Sequence, residues 1–134
     1  VNSTGLVTAL DVIDNCVISV SANGVSDSIV VSVIEAEQHN YTYTLSSTSS
    51  PDGEIKVNQT KTYVASKYDN GIGVTQTFTF SLSGEASAYT FTVIDGNNCS
   101  LKCLKSGYVV VLSAVDNSDS SKVVTKTISL KSLF

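Results

Sequence analysis

The residues of this chain best placed to do chemistry are asparagines. Asn2-Ser3-Thr4, Asn40-Tyr41-Thr42, Asn58-Gln59-Thr60 and Asn98-Cys99-Ser100 each match the acceptor triplet for N-linked glycosylation. That modification attaches a bulky, solubilising sugar to a surface asparagine. Four acceptors spread through 134 residues point to a glycoprotein exposed outside the cell. N-linked glycans on Asn2, Asn40, Asn58 and Asn98 are the expected non-protein groups, with no cofactor beside them. At Asn98 the middle residue of the triplet is Cys99, so disulfide formation there would compete with glycosylation.

Catalytic constellations are not evident. His39 is the only histidine, it neighbours Asn40, and it reads as a surface-loop residue rather than a general base. No G-x-S-x-G elbow occurs, and a nucleophilic triad would have to use His39. Asp116-Asn117-Ser118-Asp119 has two acids of a calcium loop but neither the remaining ligands nor their spacing, and reads as a polar hairpin turn. Asp69-Asn70-Gly71-Ile72-Gly73 reads as a loop and not a phosphate cradle, because no strand-to-helix transition follows. An enzyme is not expected.

Cys16, Cys99 and Cys103 are the disulfide candidates, two pairing and one left over in an oxidising compartment. Cys99 and Cys103 could close a small ring. Cys16 to either would close a loop of more than eighty residues, which chain entropy values at about 4.5 kcal/mol. A zinc site would need its fourth ligand from His39 or a carboxylate, and no metal is expected.

Composition narrows the class further. Hydrophobic residues make up 42% and charged residues 15%, which argues for a folded domain and against disorder. A net charge of −4, with eight lysines and no arginine, removes the footprint of a nucleic-acid binder. No apolar run is long enough to span a membrane. The opening Val1 reads as a processed or trimmed end.

The elements that must carry these residues are strands. Residues 75–83 alternate, with Phe78, Phe80 and Leu82 on one face and Thr77, Thr79 and Ser81 on the other. Tyr89, Phe91 and Val93 continue the pattern after a Gly84-Glu85-Ala86 turn, and 122–130 alternates to the end of the body. The β-branched runs 29–34 and 108–112 predict central strands buried on both faces. Helical periodicity is missing; residues 34–40 predict one turn at most. Short strands at this spacing predict an all-β, immunoglobulin-like antiparallel β-sandwich.

Ahead of it, Leu6, Thr8, Leu10 and Val12 share one face of an extended segment. Asp14-Asn15 separates that segment from a further apolar strand at 16–20. It predicts either the first strand of the chain's own sandwich or a strand donated to the next copy by β-addition. Repeated head-to-tail, the second arrangement makes an open filament.

The processed Val1, this N-terminal strand, the four acceptors, the lysine-without-arginine bias and the all-β body resemble the subunits of archaeal thread filaments. Those are glycosylated extracellular pili, similar in fold to chaperone–usher pilins. The resemblance implies a donor strand, residues 1–14, inserted in the neighbouring subunit, and an immunoglobulin-like domain over 15–134. It implies a helical homopolymer at the cell surface, serving adhesion or biofilm formation, with host or surface glycans as targets. The alternatives on the same fold are a monomeric carbohydrate- or cell-surface-binding module and a viral coat or surface-layer-associated protein. The first would need an exposed platform among Tyr41, Tyr43, Tyr63, Tyr68, Tyr89 and Tyr108, which read mostly as core and edge packing.

Overall fold

Alternating β-branched and aromatic residues become eleven strands in the computed structural model, which describes residues 4–134. They are β1 (Ile13–Ala22), β2 (Val25–Val33), β3 (Tyr41–Ser47), β4 (Glu54–Lys56), β5 (Thr60–Asp69) and β6 (Ile72–Val74). Then come β7 (Phe78–Ser83), β8 (Tyr89–Val93), β9 (Asn98–Cys103), β10 (Tyr108–Asp116) and β11 (Val123–Lys131). One 3₁₀ turn, Ala86–Ala88, precedes β8, with the Glu85 side chain accepting from the Ser87 N–H. The chain is all-β.

Two compact units divide it, Val1–Gln38 and His39–Phe134. The sequence reading placed this boundary at 14/15 and assigned 15–38 to the sandwich. Instead β1 and β2 form a two-stranded sheet of their own. The reason is local: Asn23 and Gly24, both at positive φ, make a two-residue hairpin turn that pairs the strands flanking it. The polar break at Asp14-Asn15 is a bulge within β1, where the register shifts and Asn15 takes φ 57°. Residues 34–40 contain no helical turn.

The second unit is the sandwich. One sheet runs β3-β5-β9-β8, with β6 also paired to β5; the other runs β4-β11-β10-β7. Apart from β4 and β6, the strand order is that of the A-B-E-D and C-F-G sheets of immunoglobulin-like sandwiches. The pairing is antiparallel except for β4 with β11, a parallel pair outside the antiparallel expectation. Asn70-Gly71, read as a loop, is a second turn of the Asn-Gly kind and folds β6 back on β5.

Alternation places one face of each strand inward. Tyr63 and Ala65 from β5, Cys99 and Leu101 from β9, Val110, Leu112 and Ala114 from β10, and Ile128 and Leu130 from β11 meet in the core at 0–1% exposure. Phe78 and Phe80 join them as the alternation of 75–83 predicts. The two runs expected to be buried on both faces are not. In 108–112, Val110 and Leu112 are buried while Val109 is exposed; in 29–34 the strand is exposed or half-buried throughout. A continuous β-branched run reports strand propensity, and burial on the second face needs a further layer that these strands do not have.

Candidate functional site

The N-terminal unit presents an apolar surface with no core beneath it. Cys16 pairs with Val31, Ile18 with Ile29, Val20 with Asp27 and Ala22 with Val25, so these residues share one face of the hairpin. The other face carries Ser19, Ser21, Ser26 and Ser28, with only the Val17–Val30 pair apolar. An amphipathic two-stranded sheet of this kind ordinarily packs its apolar face against another layer. Here no described residue of the unit is buried; Val20 is 68% exposed, Val25 74% and Ile29 60%.

Leu6, Thr8, Leu10 and Val12, which the sequence reading assigns to a donor strand, lie in a segment, 4–12, that belongs to no strand, and Leu10 is 94% exposed. Val7, Val12, Ile13, Cys16, Val31 and Val33 line a groove of about 320 Å³ at that end of the hairpin. The chemistry available to this surface is apolar burial together with backbone pairing along the outer edges of β1 and β2.

The glycan acceptors differ in access. Asn2 lies outside the described residues. Asn40, just ahead of β3, is exposed, as is Asn58, which occupies a turn at φ 68°. Asn98 starts β9 and is half-buried. Its Nδ2, the atom a glycan would occupy, donates to both oxygens of Asp95 at 2.9 and 3.0 Å. The Asn97 N–H first, then Asn98, hold that carboxyl below its ordinary value, so the acceptor stays charged. The expected outcome is high occupancy at Asn40 and Asn58 and little at Asn98 once the domain has folded. Glycopeptide mass spectrometry reads this site by site.

The three cysteines are free thiols. Of the pairings left open by the sequence, the Cys99–Cys103 ring is ruled out by the strand that contains both. Four residues along β9 separate their Cα atoms by roughly 13 Å, about twice the span of a disulfide. Both side chains point into the core, and burial pushes the Cys99 thiol up to about 11.

Within the sandwich lies a polar cluster that sequence reasoning missed. Lys67 Nζ donates to Asp116 Oδ2 at 2.8 Å, and the Tyr43 hydroxyl donates to the same oxygen at 2.8 Å. Asp116 Oδ1 accepts from the Ser118 N–H at 2.7 Å and the Ser118 hydroxyl at 2.6 Å. Lys67 also sits 4.3 Å from the centre of the Tyr41 ring. Burial works to raise the Asp116 carboxyl, but the bonds from Lys67, Ser118 and Tyr43 outweigh it and hold the group well below its ordinary value of 3.8. The pair joins β5 to β10, the two strands bridged by the inter-sheet disulfide in antibody domains. The turn reading of Asp116–Asp119 holds, with Asp119 N–H and Lys122 N–H closing it. The available signal was Lys67 standing in step with Tyr63 and Ala65 on the inward face of β5.

His39 Nδ1 lies 2.5 Å from Asp69 Oδ2, and its ring stacks on Tyr41 with centroids 5.4 Å apart. Tyr41 is thereby engaged and Tyr63 is fully buried. The open cleft of about 440 Å³ beside Ser49, Pro51, Lys56 and Lys61 has no aromatic lining. Among the described residues no group of three or more metal-ligating side chains gathers, and no helix is long and apolar enough to cross a membrane.

No protein-family description and no curated protein matches the sequence. Among solved structures, the crystal structure of the S-layer protein SbsC domains 4 and 5 is similar at 15% identity with a TM-score of 0.48. The match covers 86% of this chain and 56% of that one, so this chain spans little more than half of that structure's length.

Proposed function

We propose that the chain is a structural component of an extracellular glycosylated assembly, in which β-sandwiches are joined end to end through their N-terminal units. The observation that carries this reading is the contrast between the units. Residues 39–134 enclose a complete core, whereas the N-terminal unit displays apolar side chains and encloses nothing. Exposed apolar surface of that kind, on a sheet whose other face is lined with serines, marks an association site. Glycans at Asn40 and Asn58 would keep the remaining surface soluble.

In its thread-filament form, residues 5–14 act as the donor strand. Leu6, Thr8, Leu10 and Val12 enter the neighbouring copy, giving a head-to-tail homopolymer for adhesion or biofilm formation at the cell surface. Leu10→Asp or Val12→Asp would then abolish the polymer, because an unpaired charge would enter an apolar groove. Polymer yield seen by negative-stain electron microscopy tests this, and wild-type filaments from either variant would contradict the donor-strand form.

A specific observation favours a second form, a surface-layer-like array joined by the hairpin rather than by a lone strand. The sandwich core is already closed by its own strands, with Val110, Leu112, Ile128 and Leu130 at 0–1% exposure. Ile18→Asp, on the apolar face of β1, disrupts this joint in the same assay while Ser19→Asp, on the serine face, leaves it intact.

A further inference from the structure

The N-terminal hairpin repeats the closing hairpin of the sandwich. Val17-Ile18-Ser19-Val20 in β1 matches Val111-Leu112-Ser113-Ala114 in β10, and Val31-Ser32-Val33 in β2 matches Ile128-Ser129-Leu130 in β11. The ladders agree in register from Cys16 to Val20, and in residue type along β1 and β10, while Ile29 and Asp27 stand where Lys126 and Val124 do. Cys16–Val31, Ile18–Ile29 and Val20–Asp27 occupy the places of Val110–Ile128, Leu112–Lys126 and Ala114–Val124. Each sequence block steps by the same two-residue period from the same starting pair; the hairpins differ in the length of the turn and in the bulge at Asp14-Asn15, which β10 lacks.

What covers such a hairpin is visible in the second unit. There β10 is flanked by β7 and β11 by β4. The facing sheet buries Val110, Leu112, Ala114, Ile128 and Leu130 to 0–1% exposure. The equivalent residues of β1 and β2 are apolar as well, yet Cys16, Ile18, Val31 and Val33 are only half-buried and Val20 is exposed.

We infer that β1–β2 is the closing hairpin of a further sandwich of the same design, whose other strands, equivalent to β3–β9, come from the same polypeptide immediately upstream. A second copy of residues 39–134 cannot supply the cover, because the position between its β4 and β7 is filled by its own β10–β11. In 39–134 the hairpin follows all the strands it packs against, and β1–β2 repeats that order by standing last before the next β3. Residues 34–40 then become an inter-domain linker, and the chain is read as a tandem array. This deepens the end-to-end reading above and rests on it.

Cys16 provides the test, because it occupies the place of the fully buried Val110. The native protein, purified from the cells that produce it, is compared with the isolated 134-residue chain by N-ethylmaleimide labelling, with a Ser19→Cys variant reporting the opposite face. In the isolated chain, diluted until sedimentation shows a monomer, Cys16 labels readily while Cys99 and Cys103 do not. In the native protein Cys16 is expected to label roughly a hundredfold more slowly, as a core thiol does, while the Ser19→Cys thiol labels at the same rate in both. The mass of the native polypeptide is expected to exceed the 14.1 kDa of this sequence by more than its glycans. Limited proteolysis should leave a resistant body that begins upstream of residue 1 and ends within the linker.

Equal Cys16 labelling in native and isolated protein overturns the inference, because the face is then uncovered. A protected Cys16 in a native polypeptide of 14.1 kDa plus glycans also overturns it, assigning the cover to a separate chain. Neither result depends on whether the assembly forms filaments or layers, so the end-to-end reading stands or falls on its own assay.

Discussion

Asp116→Ala is expected to destabilise the 39–134 sandwich by about 3 kcal/mol, lowering its Tm by roughly 15 °C. The size of the effect comes from what is left behind. The lysine ammonium on β5 would remain in a water-poor site without its counter-charge, and the Tyr43 and Ser118 hydroxyls would lose their shared acceptor. Asp116→Asn retains the shape and part of the hydrogen bonding, and should fall between wild type and alanine.

Acid sensitivity follows from the same carboxylate. Its folded value is depressed below the ordinary 3.8, so the stabilisation is complete above that pH and is lost as pH falls below it. Wild type is therefore expected to lose stability progressively from about pH 4 downward. Asp116→Asn should show a flatter acid limb. Thermal and urea unfolding across that range measure both effects; a Tm within a few degrees of wild type for Asp116→Ala would remove the cluster from the account of stability.

Removal of residues 1–38 is expected to have the opposite character: no loss of fold, and complete loss of association. Among the described residues, all fifteen buried hydrophobic side chains lie between Leu45 and Leu130, so the deletion removes no residue of that core. Covering the apolar face of β1–β2 would contribute on the order of 10 kcal/mol of gross burial, before the entropic and desolvation costs of association. That is enough to make the N-terminal unit dominate any assembly. Circular dichroism and urea unfolding of 39–134 check the first half of the expectation, and its sedimentation behaviour checks the second. An unfolded 39–134 fragment would mean that the sandwich depends on the hairpin.

The all-β class and the sandwich were legible because period-two alternation survives in every strand that has one buried face. Phe78 and Phe80, or Ile128 and Leu130, declare their side directly. The place of β2 was not legible from its own residues. A run such as Ile29-Val30-Val31 has the same composition whether it is buried between two layers or waits for a partner, and only the pairing distinguishes the cases.

Asn23-Gly24 was a readable hairpin signal, since few dipeptides adopt two consecutive positive φ values without cost. Read together with the repeat of Ile18-Ser19 in Leu112-Ser113, it would have moved the domain boundary to 38/39. One of the open disulfide pairings, Cys99 with Cys103, is excluded for a geometric reason that spacing alone hides. A four-residue separation closes a ring only if the chain turns, and β9 is straight. Lys67 and Asp116 were missed because their partnership spans 49 residues of sequence and is created by sheet stacking.

The most direct test of the central claim, that association resides in the apolar surface of the N-terminal unit, is sedimentation velocity on the 134-residue chain and on residues 39–134 at matched concentration. Assembly of the longer chain beside a monomeric, folded 39–134 is the predicted result. A monomeric longer chain, or equal assembly of both, would contradict it.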